Sequence, residues 1–222
     1  MSVRPKIVAC TIMMLAATCF AARVEAQQEN AGTSTTNLRK IAIAMHMYHG
    51  ENNRLPAHAS YRNRKPLLSW RVHLLPYLNQ KALYRQFHLD EPWDSKHNKS
   101  LVEKIPSVFR NFDSSLSLTK DGKTCFQVSL GVDHVFTGAP TGVSFKDIKD
   151  GTSQTILVVE TTPGAAVVWT RPEDVTFKGD YEKSGLVKKG KNEFYAVFAD
   201  GQTRLILKSM NFRAMLTRDQ DD

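Results

Sequence analysis

Helical spacing of apolar residues in the first half of the chain, and short β-prone runs separated by Asp-Gly pairs in the second, predict an α+β domain. Its N-terminal helix and several short helices would pack on an antiparallel β-sheet. The 222 residues, 41% apolar and 23% charged, fit one compact domain with a real core. The boundaries read as a leader over 1–26, a polar segment over 27–35, a single domain over 36–218 and an acidic tail over 219–222.

The leader has the makeup of a signal peptide. Arg4 and Lys6 form a basic head, Ile7 to Ala22 an apolar run, and Val24-Glu25-Ala26 a small-residue cleavage site. Cleavage near Ala26 implies an extracytoplasmic protein, periplasmic or secreted, with no transmembrane helix in the mature chain. Lipidation at Cys19 is the rival ending, although Thr18 stands where a lipobox wants a smaller residue. Removing Arg4, Lys6, Arg23 and Glu25 leaves 27 basic and 21 acidic side chains, a formal charge of +6. Such a surplus favours an anionic envelope or extracellular partner, and outside the cytoplasm it does not point to nucleic acid. Only Cys125 survives cleavage, so packing alone must hold the fold.

In TTNLRKIAIAMHMYHGENN, Leu38, Ile41, Met45 and Tyr48 fall at helical spacing. Thr36 is placed to cap the helix and Gly50 with Asn52-Asn53 to stop it. RLPAHASYRNRKP reads as an irregular crossing punctuated by Pro56 and Pro66. LLSWRVHLLPYLNQ puts Trp70, Leu74, Tyr77 and Leu78 on one helical face, bent or shortened at Pro76, and KALYRQFH adds Leu83 and Phe87 one turn apart. The segment from Asn98 to Ile105 supplies another turn or two before Pro106. From about Val108 the runs TCFQVSL, TILVVET, AVVWT, FYAVFA and QTRLIL are β-prone. Asp121-Gly122, Asp150-Gly151 and Asp200-Gly201 divide them, because tight turns need the positive φ that Gly adopts without strain. A last helix is expected over Ser209 to Thr217.

Residues with chemical potential are few. LDEPWDSKHNKS gathers Asp90, Glu91, Asp94, Trp93 and His97, with His88 beside it. Pro92 biases Glu91 to extended backbone, so the carboxylates diverge. Asp94 or Ser95 can cap the turn that follows, and Trp93 anchors it, which makes the stretch a scaffold. His46 and His49, at i and i+3, are the candidate metal ligands. Zinc needs four partners, and no companion motif is near. Cys125 with His134 could form a thiolate pair, yet Cys125 sits mid-strand in an apolar run. There is no G-x-S-x-G, no calcium loop and no phosphate-cradling turn. The expectation is a protein without enzymatic activity or cofactor, whose binding candidates are Lys183, Lys188, Lys189 and Lys191 in one Gly-containing segment.

Six ordered blocks carry a resemblance: NLRKIAIAMHMYHGENNRLP, PLLSWRVHLLPYL, FHLDEPWDSKHNK, DIKDGTSQTILVVE, VVWTRPEDV and FYAVFADGQTRLI. In that order they resemble the bacterial domain-of-unknown-function family numbered 1559, over about Asn37 to Leu216. The resemblance implies a pilin-like architecture, export, no assigned activity, and a by-name link to solute-binding proteins. It also implies structural motif roles for Asp90, Glu91, Trp93, Asp94, Asp150, Gly151, Asp200 and Gly201. Two departures stand out. A signal peptide replaces the usual prepilin helix, and Gly190 occupies the place of the histidine in the family's H-x9-DG signature.

Overall fold

The computed structural model describes residues 34–110 and 121–219. The leader, its cleavage site and Cys19 lie outside these residues. Helix α1 is described over 34–52 and turns Leu38, Ile41, Ala42 and Met45 inward, each fully buried. Thr36 therefore lies within the helix and does not cap it. Ser34, already helical, donates its hydroxyl to Glu160 Oε1 at 2.8 Å. The helix also runs through exposed Gly50. It stops where Asn53 takes a left-handed φ of 58° while its N–H reaches His49 O at 2.7 Å.

The expected irregular crossing after α1 is a hairpin. Strands β1 (Ala59–Arg62) and β2 (Lys65–Ser69) pair antiparallel, with Arg62 opposite Lys65. Asn63 and Arg64 both adopt positive φ at the two-residue turn, which ordinarily calls for Asn-Gly. The absent Gly is why the hairpin was not read from the sequence.

Short helices follow: α2 (Trp70–His73), capped by Ser69, a 3-10 turn over Leu75–Leu78 entered by Pro76, α3 (Lys81–Tyr84) and α4 (Lys96–Lys99). Strands β3 (Lys123–Thr124) and β6 (Val167–Val168) form a small pair. Strands β4 (Phe126–Gln127), β5 (Ile156–Glu160), β7 (Glu193–Phe198) and β8 (Thr203–Leu207) form an antiparallel sheet in the order β4-β5-β7-β8. Among the described residues the strands divide among three antiparallel sheets within an α+β architecture.

The four-stranded sheet is covered on both faces, so β5 shows no alternation and Ile156 to Val159 are all buried. On one side Val158 and Val197 join α1, Trp70, Trp169, Phe109 and Phe126. On the other, Phe194, Phe198 and Ile206 meet Leu186, Val187, Phe212 and Leu216. The helix expected over Ser209 to Thr217 is instead a run of turns. Met215 N–H bonds Phe212 O, and Thr217 is drawn into a bridge with His134 that ends helical propagation.

Each Asp-Gly turn has its glycine at positive φ: Gly122 at 59°, Gly151 at 91° and Gly201 at 81°. Among the described residues only Asp200-Gly201 joins paired strands, between β7 and β8. The Asp150 and Asp200 turns meet, with Asp200 N–H donating to Thr152 O at 3.0 Å and Arg204 Nη1 to Ser153 O at 2.7 Å. Among the described residues no helix is long and apolar enough to cross a membrane.

Candidate functional site

The acidic stretch is organised by a residue that carries no charge. Asn98 is fully buried. Its Nδ2 donates to His88 O, Glu91 O and Pro92 O (2.9, 3.2 and 3.1 Å), and its Oδ1 accepts from His88 N–H at 3.0 Å. Both the donor and the acceptor end of one amide thus hold the turn shut. Ser95 caps α4 by accepting from Asn98 N–H at 3.1 Å.

The carboxylates lean outward to separate partners. Asp90 reaches Arg62 at 3.3 Å, and Glu91 accepts from His88 Nδ1 at 2.9 Å, all on exposed surface. Hydrogen bonds from Ser95 and His88 hold Glu91 below its ordinary carboxyl range. The Asp94 side chain is exposed. Trp93 donates its backbone N–H to Leu67 O at 2.9 Å, and its ring lies under the Arg171 guanidinium. His88 and His97 stack with centroids 3.6 Å apart and planes within 2°. Ring nitrogens donate along the ring plane, so two parallel rings aim their lone pairs past one another and do not converge on one ion.

His46 and His49 flank Phe145, with centroid distances of 4.5 and 4.6 Å. His46 Nε2 donates to Ala199 O at 2.9 Å. His49 Nε2 accepts from Phe145 N–H at 3.4 Å and lies 3.2 Å from Ser144 Oγ. Burial, His46 and Lys146 lower the His49 pKa from its ordinary value. These bonds fasten α1 to the 144–147 turn and to the β7–β8 connection. Among the described residues no three His, Cys, Asp or Glu side chains gather as metal ligands. Cys125 is buried, and its backbone O accepts from Thr161.

The one fully buried ion pair among the described residues joins Arg71 of α2 to Asp174, with Nη2 to Oδ1 at 2.6 Å and both side chains without exposure. Asp174 also accepts from Trp70 Nε1 at 3.2 Å and Val128 N–H at 3.0 Å. Arg71 adds Phe126 O, at 3.0 and 2.9 Å, and Ser69 Oγ at 2.8 Å. Burial pushes the Asp174 carboxyl up to about 6 even though the guanidinium and the N–H groups of Val128 and Trp70 pull the other way. Neither residue was singled out from the sequence. The legible signal was an arginine inside the apolar run LLSWRVHLL, since a charge held there needs a buried partner.

The binding candidates lie on a pinned segment. Leu186 and Val187 are buried in the outer core, and Lys183, Lys188, Lys189 and Lys191 stand exposed on either side of them. Asp180 Oδ1 caps the bend by accepting from Glu182 and Lys183 N–H at 2.9 and 3.0 Å. Gly190 has a φ of 78° with nothing within 4 Å of a Cβ built there.

A cleft of about 340 Å³ opens between the end of α1, residues 54–60, His73 and the 140–142 loop. His73 Nε2 is buried and has no hydrogen-bond partner among the described residues. Burial lowers the His73 pKa to about 4, so the ring is neutral at physiological pH. None of the residues lining this cleft was a sequence candidate, because they come from three distant segments.

Residues 32–124 match the family model described as "Protein of unknown function (DUF1559)". No curated protein and no solved structure matches the chain.

Proposed function

As a member, through residues 32–124, of the family described as protein of unknown function, DUF1559, the chain carries an α+β domain from which we propose an exported, non-catalytic interaction protein. Its partner is an anionic envelope or extracellular polymer, and the contact surface is the segment from Lys183 to Lys191. The observation that supports this reading is the anchoring of that segment. Two buried apolar residues fix its backbone while four lysines remain at the surface, so their charge is presented from a defined platform. The acidic stretch and the buried ion pair are occupied in holding the chain together.

Retention on immobilised heparin, used as a generic polyanion, tests the reading. The protein is expected to be retained at low salt and released as ionic strength rises, because screening shortens the reach of exposed charge to about 8 Å at physiological salt. The quadruple variant Lys183→Gln, Lys188→Gln, Lys189→Gln, Lys191→Gln is expected to flow through. Equal retention of variant and parent would overturn the assignment.

A second reading, a soluble binding module for a small anionic solute or glycan, is favoured by the cleft beside His73, whose volume falls in the range of small-molecule sites.

A further inference from the structure

We propose that the cleft beside His73 is a binding site for a small organic monocarboxylate, with Arg54 holding the carboxylate and His73 Nε2 hydrogen-bonding the body of the ligand. The assignment rests on the binding-module reading and is independent of the lysine segment.

The charge of the ligand follows from the lining. Arg54 is the only ionised side chain among the residues that line the cleft. His73 is neutral, and burial raises the Tyr48 pKa, so that hydroxyl keeps its proton. Arg54 is exposed and spends Nη1 on Gly142 O at 3.3 Å, one of five guanidinium donors suited to a planar carboxylate. One cation matches one anionic group, and a second carboxylate would meet no second positive charge.

The remaining polar groups narrow the choice further. Asn52 Nδ2 is engaged by Tyr48 O and Tyr77 Oη at 2.9 and 3.3 Å, and Ser60 Oγ by Leu68 N–H at 3.2 Å. Of the five buried side-chain atoms without a partner among the described residues, the His73 nitrogen is the one that belongs to the cleft lining, and native structures rarely leave such an atom unmatched. Leu55, Pro56, Ala59 and Pro140 supply apolar wall for a short hydrocarbon body.

The cleft is also built in advance. Leu55 N–H bonds Val143 O at 2.8 Å, and a Cβ at Gly142 would lie 1.7 Å from Leu55 O. Only glycine lets the 140–143 wall close this tightly on residues 54–57. A wall fixed before binding spares the ligand the cost of ordering it.

Benzoate, with benzamide as its uncharged counterpart, tests the site on the isotopically labelled full chain by NMR. Benzoate is expected to shift the amides of Arg54, Leu55 and residues 57–60 and 141–143 and the His73 ring signals, and to bind at least about 10-fold more tightly than benzamide. The exposed substitution Arg54→Gln is expected to bring benzoate down to the benzamide level without changing the melting temperature. Equal binding of the two probes, or benzoate shifts unchanged in Arg54→Gln, would overturn the site. Shifts confined to residues 183–191 would also overturn it while leaving the binding-module reading standing. No shift anywhere up to about 10 mM would overturn both.

Discussion

The acidic stretch around Trp93 and the Arg71–Asp174 pair use the same kinds of groups to opposite ends. In the first, Asp90 and Glu91 sit at the surface and satisfy themselves with Arg62 and His88, where water competes for every contact. In the second, one carboxylate and one guanidinium are sealed from solvent, and their hydrogen bonds bind α2, β4 and the segment ahead of Val175 into one unit. Density of charged residues along the chain is thus a poor guide to where charge matters. Burial decides it, because removing one partner of a buried pair leaves the other without compensation.

The largest expected effect follows directly. Asp174→Ala should cost about 3–5 kcal/mol of stability in urea unfolding, since Arg71 would be left buried and unpaired. The double variant Arg71→Met, Asp174→Leu should recover much of that loss by removing both charges. A mild Asp174→Ala phenotype would erase the contrast between the two regions.

Asn98→Ala should come next, at about 1–3 kcal/mol, because it strands the carbonyls of His88, Glu91 and Pro92 that the amide now satisfies. Asp90→Asn in the same stretch should leave the unfolding midpoint unchanged. If the order of these two were reversed, the stretch would owe its shape to charge and not to the buried amide.

Acidification separates the buried groups by sign. His73 has a folded pKa depressed from 6.5 to about 4. Its contribution is therefore complete above pH 6.5 and is lost as pH falls toward 4, because the unfolded chain takes up the proton first. Asp174 has a folded pKa raised from 3.8 to about 6. Its contribution is complete below pH 3.8 and is lost as pH rises through 6. Urea midpoints between pH 7 and 4.5 should fall less steeply in His73→Phe than in the parent, and more steeply in Asp174→Asn.

The smallest of the expected losses is at Gly201→Ala. There a φ of 81° should cost about 1 kcal/mol through strain in the β7–β8 connection. A thermal melt measures it, and no effect would mean that the turn relaxes freely.

Much of the chain's order was legible before any coordinates. The apolar spacing of Leu38, Ile41 and Met45 located α1, the β-rich runs located β5, β7 and β8, and the turn chemistry of Asp200-Gly201 located their last connection. The β1–β2 hairpin escaped because Asn63-Arg64 lacks the usual glycine. The helix expected over Ser209 to Thr217 failed because its apolar spacing matched a set of turns packed on the outer core. At the candidate sites, the lysines were visible as a cluster, whereas Arg54, His73 and Gly142 lie far apart along the chain and meet only in the fold.

Periodicity and turn propensity are properties of neighbouring residues, so the sequence alone determined the helical first half, the strand-rich second half and the positive-φ glycines between. Which charges became buried, which amide closed the acidic turn and which imidazole was left without a partner depended on segments up to about a hundred residues apart coming into contact. Those contacts form only when apolar burial collapses the chain, and desolvation then sets the value of every polar group trapped inside.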